Sequence, residues 1–597
     1  MSRLITTLLF VCFFGAAGLR AQVAFPDDWF TRPPTPERIK AVQAAVLRDG
    51  WQPIALRLYA GSLKAYELRQ EDAAVAWYYV ARWSDLLGQS QAELAKVWME
   101  NQSRAGIPGL RSDLDKISKL PDQQMSLLLT EETVTWLLGD RAFSEAFFNQ
   151  VSPHDLLPRV MFILENLRES DARRFATYTQ LALAIALVYD AAPPPHWPHG
   201  QVSVEVLPRR LPNPTDAFKF LTEADQRGVT LHKLANLPVG ELRFAVDLSA
   251  PFGDLVWAQR SVKFPLATLV KSYEAVRYRT DRIEANEYAW ASESYSLPEI
   301  LKEGGICVDQ AYFATQAGKA RGVPTLLFAG SGKDGRHAWF GYLGTGQRWV
   351  LDAGRYAEQR FVTGVAYDPQ TWKLLSDHEL LFLSEGFRKL QPYRQSKQQQ
   401  IFAEVYFRIG KKEAAAVAAR KAVNFERRNA DAWAILVAAN YGLAPLAKEA
   451  LLREAAQALQ RYPDLAARFT RELVASLNAR GEKSAAEFEE RSLVRRGQMR
   501  GRDDFAVTQA AAVMAAAIQK GDYIEHMRVY RQVLKQYGKD GGIDFYDRVT
   551  EPFVIGLLQQ GKRGEAVQML AQTRVALTPE PDSQMDREMK ELADKLK

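Results

Sequence analysis

The segment Gly304-Gly305-Ile306-Cys307-Val308-Asp309-Gln310 sets the architecture expected at the centre of this chain. The paired glycines mark a tight turn, and the residues after them, Ile306 to Ala320, carry a helical pattern. Three strand-like runs follow, Thr325 to Ala329, His337 to Leu343 and Arg348 to Asp352. A helix that opens on a thiol and packs on antiparallel strands makes an α+β core, which is the fold class expected here.

The chain has 597 residues and two cysteines, Cys12 and Cys307. Cys12 lies in an N-terminal apolar run, Leu4 to Leu19, that follows Arg3 and ends near Ala21. A basic start, an apolar middle and a small residue at the end read as a secretory signal over residues 1–21, with an exported, periplasmic or extracellular product. The run is short for a bilayer span, and no later segment is apolar enough to cross a membrane. Removal of the signal leaves Cys307 alone, so it cannot form an internal disulfide.

Hydrophobic residues make up 47% and charged residues 25% of the chain, as in an ordinary globular protein of several domains. The formal charge of +6 is small for this length. The cluster Arg495, Arg496, Arg500 and Arg502 has no aromatic interleaving, which argues against nucleic acid and for solvated helix faces.

Four regions are expected: the signal, an all-helical region over 25–195, a catalytic region with a leading β segment over 201–385, and a helical-repeat array over 397–597. The stretch Ala191 to Gly200 is proline-dense and reads as a linker, His196 and His199 included. Val202 to Val206 and Leu242 to Leu248 alternate apolar and polar residues, a strand pattern. Leu266 to Ile283 reads as one helix. In the array, glycines at 410, 442, 481, 521 and 561 are each followed five residues later by Ala415, Ala447, Ala486, His526 or Ala566. A glycine turn with a small residue one turn into the next helix suits close helix pairing and resembles a degenerate tetratricopeptide array.

The chemistry expected of the centre rests on three residues. A helix N-terminus favours an anion, so the start of the helix should lower the thiol pKa of Cys307. His337, in Gly335-Arg336-His337-Ala338-Trp339, is the candidate base. Asp352 is the candidate orienter of the imidazole, since the turn Gly344-Thr345-Gly346-Gln347 makes the two strands neighbours. Trp339 and Trp349 read as walls. Gly330-Ser331-Gly332-Lys333-Asp334 lacks the hydroxyl residue and helix of a phosphate loop and reads as a loop before the His strand.

These motifs, with Ala320-Arg321-Gly322-Val323-Pro324 between them and Ala353 after the aspartate, resemble the bacterial transglutaminase-like superfamily over roughly residues 265–360. The resemblance implies Cys307 as nucleophile, His337 as base and Asp352 as orienter. Members of the family place an aromatic residue upstream of the cysteine, for which Tyr288 and Trp290 are the oxyanion candidates, beside the backbone N–H of Cys307. No metal or cofactor is implied.

The expected activity is cleavage or transfer at an amide bond through a Cys307 thioester, on a protein or peptide presented by the helical array. Hydrolysis and acyl transfer share that intermediate and stay open. The alternatives are a non-catalytic helical-repeat scaffold whose central domain only binds, and a module that binds cell-wall polymer.

Overall fold

A computed structural model describes residues 25–105, 117–355, 362–440, 444–519 and 523–597. The expected signal at 1–21 and the turns at Gly442 and Gly521 lie outside the described residues. The described chain is mostly helical, with one antiparallel sheet of five strands near its middle. At that level the α+β class holds.

The first region is helical, and its helices α1 (Trp51–Glu67) and α2 (Glu71–Leu87) pair closely. Helix α2 is apolar nearly all round, and Trp77 and Trp83 are fully buried. The stretch after it that was expected to be a linker is part of the core, because Trp197 and His199 are buried.

The leading β segment expected within 201–260 is absent from the described residues, which instead form helices Pro214–Gln226, α3 (Val239–Val246) and Phe252–Ser261. The alternation through Leu242 to Leu248 misleads because Arg243 is not a solvent-facing residue. It is buried in α3 and its Nη1 pairs with Asp368 at 3.1 Å, so this helix is covered on every side. Val202 to Val206 lies in turns.

The single helix expected from Leu266 to Ile283 is broken into Leu266–Thr268, Lys271–Glu274 and Thr280–Glu284. The interruption has a cause. Gly305 N–H donates to Arg277 O and Arg279 N–H to Gly305 O, both at 2.9 Å, so residues 277–279 are drawn out alongside the glycine pair.

Helix α4 (Cys307–Ala320) then runs beneath the sheet. The strands are β1 (Thr325–Ser331), β2 (Arg336–Leu343), β3 (Trp349–Ala353), β4 (Val365–Tyr367) and β5 (Leu374–Ser376), in the order β3-β2-β1-β4-β5. One face of β2 packs Ala338, Phe340 and Tyr342 with α4, whereas Trp339 and Leu343 belong to the main core. The β2–β3 register shifts between Phe340 and Tyr342, whose partners are Ala353 and Val350.

Beyond the sheet the chain is helical again. Helix α5 (Gln391–Arg408) turns at Gly410 (φ +79°) into α6 (Lys412–Phe425), and Gly481 and Gly561 turn later helix pairs in the same left-handed conformation. Ala415, Ala486 and Ala566 are buried in those pairs. The core does not divide between 385 and 397. Helix α5 packs on the first region, with the Phe402 ring stacked on Tyr66 at 4.1 Å and Tyr406 Oη donating to Glu67 at 2.9 Å. One apolar cluster runs from Phe30 to Ala486, and a second, separate one spans Val507 to Leu596. The second contains α7 (Lys539–Phe545), flanked by π turns at Leu534–Gly538 and Tyr546–Thr550, and α8 (Gln584–Lys595). Arg502, which was expected on a solvated face, is buried between Asp464 and Asp504.

Candidate active site

The thiol sits on the first residue of α4 because of the two glycines before it. Gly304 has φ +78°, and a Cβ there would lie 2.5 Å from Arg277 O. A Cβ on Gly305 would lie 2.3 Å from the side chain of Asp309. Only glycine permits this close turn into the helix. Asp309, at the third helical position, accepts from the Ile306 N–H through Oδ2 at 2.8 Å and so caps the helix start.

The β2–β3 ladder ends at Phe340, so the main chain of Ala338 faces the edge that β3 leaves open. The backbone N–H of Ala338 acts on the Cys307 thiol and lowers it, and the Ala338 carbonyl accepts from Tyr273 Oη at 2.9 Å. Cys307 is half-buried, with partial solvent exposure as a residue, but its surroundings are dense. Burial pushes the thiol up to about 11, the Asp309 carboxylate adds to the rise, and the N–H groups of Ala338, Val308 and Cys307 oppose it. The helix-start effect expected from sequence is therefore present in sign and outweighed by desolvation. In this state the thiol is neutral at physiological pH, contrary to the expectation of a lowered value.

His337, on the residue before Ala338, is buried. Its Nε2 lies 2.8 Å from the carbonyl oxygen of Gly354. A carbonyl only accepts, so Nε2 carries a proton, which leaves Nδ1 as the nitrogen that can take one up when the ring is uncharged. The ring stacks on Trp339 at 6.0 Å between centroids. Gly354 reaches this position with φ +91°, and a Cβ there would meet the Tyr273 ring at 2.7 Å.

Asp352 is expected to orient the His337 ring, but the oxygen at His337 Nε2 is that of Gly354. The register shift sets two residues of β3, Leu351 and Asp352, against one of β2, Gly341, and Asp352 lies exposed. Its negative charge helps to raise the Tyr342 phenol, after burial.

Of the two oxyanion candidates, Tyr288 packs in the apolar cluster that holds Cys307 and Val308. Trp290 packs in the main core, its ring edge-on to Tyr295 at 4.9 Å, and its Nε1 donates to Ser294 O at 2.9 Å. Trp339 Nε1 donates to Leu351 O at 2.8 Å and Trp349 Nε1 to Glu241 at 2.9 Å, so both indoles are structural walls.

A buried polar relay below the thiol was not read from the sequence. Asp309 Oδ2 pairs with Arg282 Nη1 at 3.1 Å, and Arg282 Nη2 donates to the carbonyls of Tyr288 and Ala289. Tyr295 Oη donates to Asp309 Oδ1 at 2.7 Å, and His199 Nε2 lies 3.0 Å from the same hydroxyl. Tyr295 uses its one proton on Asp309, so His199 Nε2 donates. Burial, with the Arg209 charge behind it, pushes His199 down to about 3 and keeps it neutral. The carboxyl at the second position after the cysteine was the available signal; nothing local pointed to His199. Among the described residues no three His, Cys, Asp or Glu side chains are grouped to hold a metal ion, and no helix is long and apolar enough to cross a membrane.

Compared with protein-family models and with curated proteins, the chain matches none.

Proposed function

We propose that the protein is an exported cysteine enzyme of transglutaminase-like type that acts on amide bonds of a protein or peptide. The observation that carries this reading is the placement of Cys307 at a helix start, where the backbone N–H of Ala338 acts to lower the thiol, while His337, the residue before Ala338, has its ring anchored through Nε2 to Gly354 O. Attack by the sulfur on a carbonyl carbon transfers the thiol proton to His337, which passes it to the departing amine and leaves a thioester. Water then gives hydrolysis and an amine gives transfer. The N–H groups of Cys307 and Ala338, and Tyr288 on the same apolar cluster, are the candidates to receive the oxyanion. Tetratricopeptide-like helical pairs around the core supply surface for a peptide substrate.

The test is turnover of a peptide and activated-ester panel by the full mature chain. Cys307→Ser and His337→Ala should each lose at least about a hundredfold, the span of a general acid–base contribution. Equal turnover by Cys307→Ser would overturn the reading. A second reading, a binding-only scaffold, is favoured by one observation: the thiol is held neutral by burial. It expects no covalent adduct with an electrophilic peptide at any pH at which the chain is folded.

A further inference from the structure

The loop that leads into the His337 strand is held by the distant C-terminal unit. Arg336 Nε donates to Asp547 at 2.9 Å, and its two other nitrogens donate to the Glu588 carboxylate at 2.7 and 3.0 Å. Its backbone N–H donates to Gln584 Oε1 at 2.9 Å. Asp334 O accepts from Met585 N–H at 3.0 Å, and Lys333 O accepts from Ile543 N–H at 2.9 Å. Gly542, bent to φ +52° between the two π turns, approaches so closely that a Cβ would lie 2.6 Å from Gly332 O. From the same helix as Gln584, Arg587 Nη2 donates to Tyr288 Oη at 3.4 Å. The first turn of α8 thus touches Tyr288, which packs on the same apolar cluster as Cys307, and Arg336, which precedes His337.

We propose that the C-terminal unit, residues 504–519 and 523–597, is a releasable strap: α8 bridges Tyr288 and Arg336 over the candidate site, and its release admits substrate to Cys307. Two features make the strap releasable. The unit has its own apolar core, separate from the one that runs from Phe30 to Ala486, so it keeps its fold when it swings. Its contacts with residues 332–336 and with Tyr288 are hydrogen bonds and part-exposed ion pairs, which water replaces at small net cost. Gly501 (φ +74°), between helices Lys483–Gln498 and Asp504–Gln519, is the natural pivot. A half-buried Cys307 is the state expected of a closed strap.

The regulatory role rests on Cys307 being the reacting group, but the test reads the strap without turnover. Alkylation of Cys307 by iodoacetamide is followed by peptide mass mapping on the full mature chain. The double variant Asp547→Asn/Glu588→Gln should alkylate at least about tenfold faster than the wild type. A lock uses Gly335 and Gln584: an ideal Cβ on Gly335 lies 3.7 Å from Gln584 Cβ, within the range a disulfide spans. Oxidised Gly335→Cys/Gln584→Cys should alkylate at Cys307 several-fold more slowly than the same protein reduced. The strap is overturned if the oxidised and reduced lock alkylate alike, or if the folded double variant alkylates no faster than the wild type. If lock and release change alkylation while no substrate is turned over, the strap stands and the enzymatic reading falls. If Cys307→Ser abolishes turnover while alkylation ignores lock and release, the enzyme stands and the strap falls.

Discussion

Arg282 and Asp309 form an ion pair at 3.1 Å with both side chains almost fully removed from solvent. The pair joins the start of the thiol helix to the segment bearing Tyr288, because Asp309 also caps Ile306 and Arg282 also holds the carbonyls of Tyr288 and Ala289. Breaking one partner strands the other charge in the interior. Arg282→Met and Asp309→Asn should each destabilise by about 3–5 kcal/mol, and the double variant by less than their sum. Urea unfolding of the three variants checks this; full additivity would mean that the pair is not coupled.

The resting thiol should react late in a pH titration. With the Cys307 thiol pushed up to about 11, the pH profile of alkylation should climb well above the midpoint of a free thiol. The sign for stability follows. The thiol is neutral in both states below about 9, its ordinary value, and that contribution is lost as pH rises from about 9 to 11. Cys307→Ser should remove this alkaline loss, which thermal melts across that window would show.

Gly354 rather than Asp352 should control the His337 ring. Nitrogen NMR of the folded chain should find the proton on Nε2, and Asp352→Ala should leave it there. Gly354→Ala is strained at φ +91° and meets the Tyr273 ring, so it should cost more than about 1 kcal/mol and disturb the His337 signals. A change of tautomer in Asp352→Ala would restore the orienting role to that carboxylate.

His199 should set part of the acid sensitivity. Its neutral form is required in the fold, and its value is pushed down to about 3 from an ordinary value near 6.5. A depressed value stabilises above the unfolded value and loses that contribution as pH falls from about 6.5 toward 3. His199→Gln keeps a donor for Tyr295 without a titrating ring, and it should flatten the decline in stability across this range, measured by chemical unfolding at successive pH values.

Local patterns in the sequence determined the thiol helix, the three strands after it and the helical turns at Gly410, Gly481 and Gly561. Periodicity and turn chemistry act over a few residues, and at Gly304-Gly305-Ile306-Cys307 nothing distant competes with them. The tertiary structure decided the rest. Arg243 looked like a surface residue of a strand until Asp368, far along the chain, drew it into a buried helix. One register shift gave His337 the Gly354 carbonyl and left Asp352 outside. Desolvation, which depends on everything packed around the sulfur, outweighed the helix start that lowers the Cys307 thiol. The hold on Arg336 by Asp547 and Glu588 joins residues more than two hundred positions apart, where no local pattern reaches and only the packing of a second core brings them into contact.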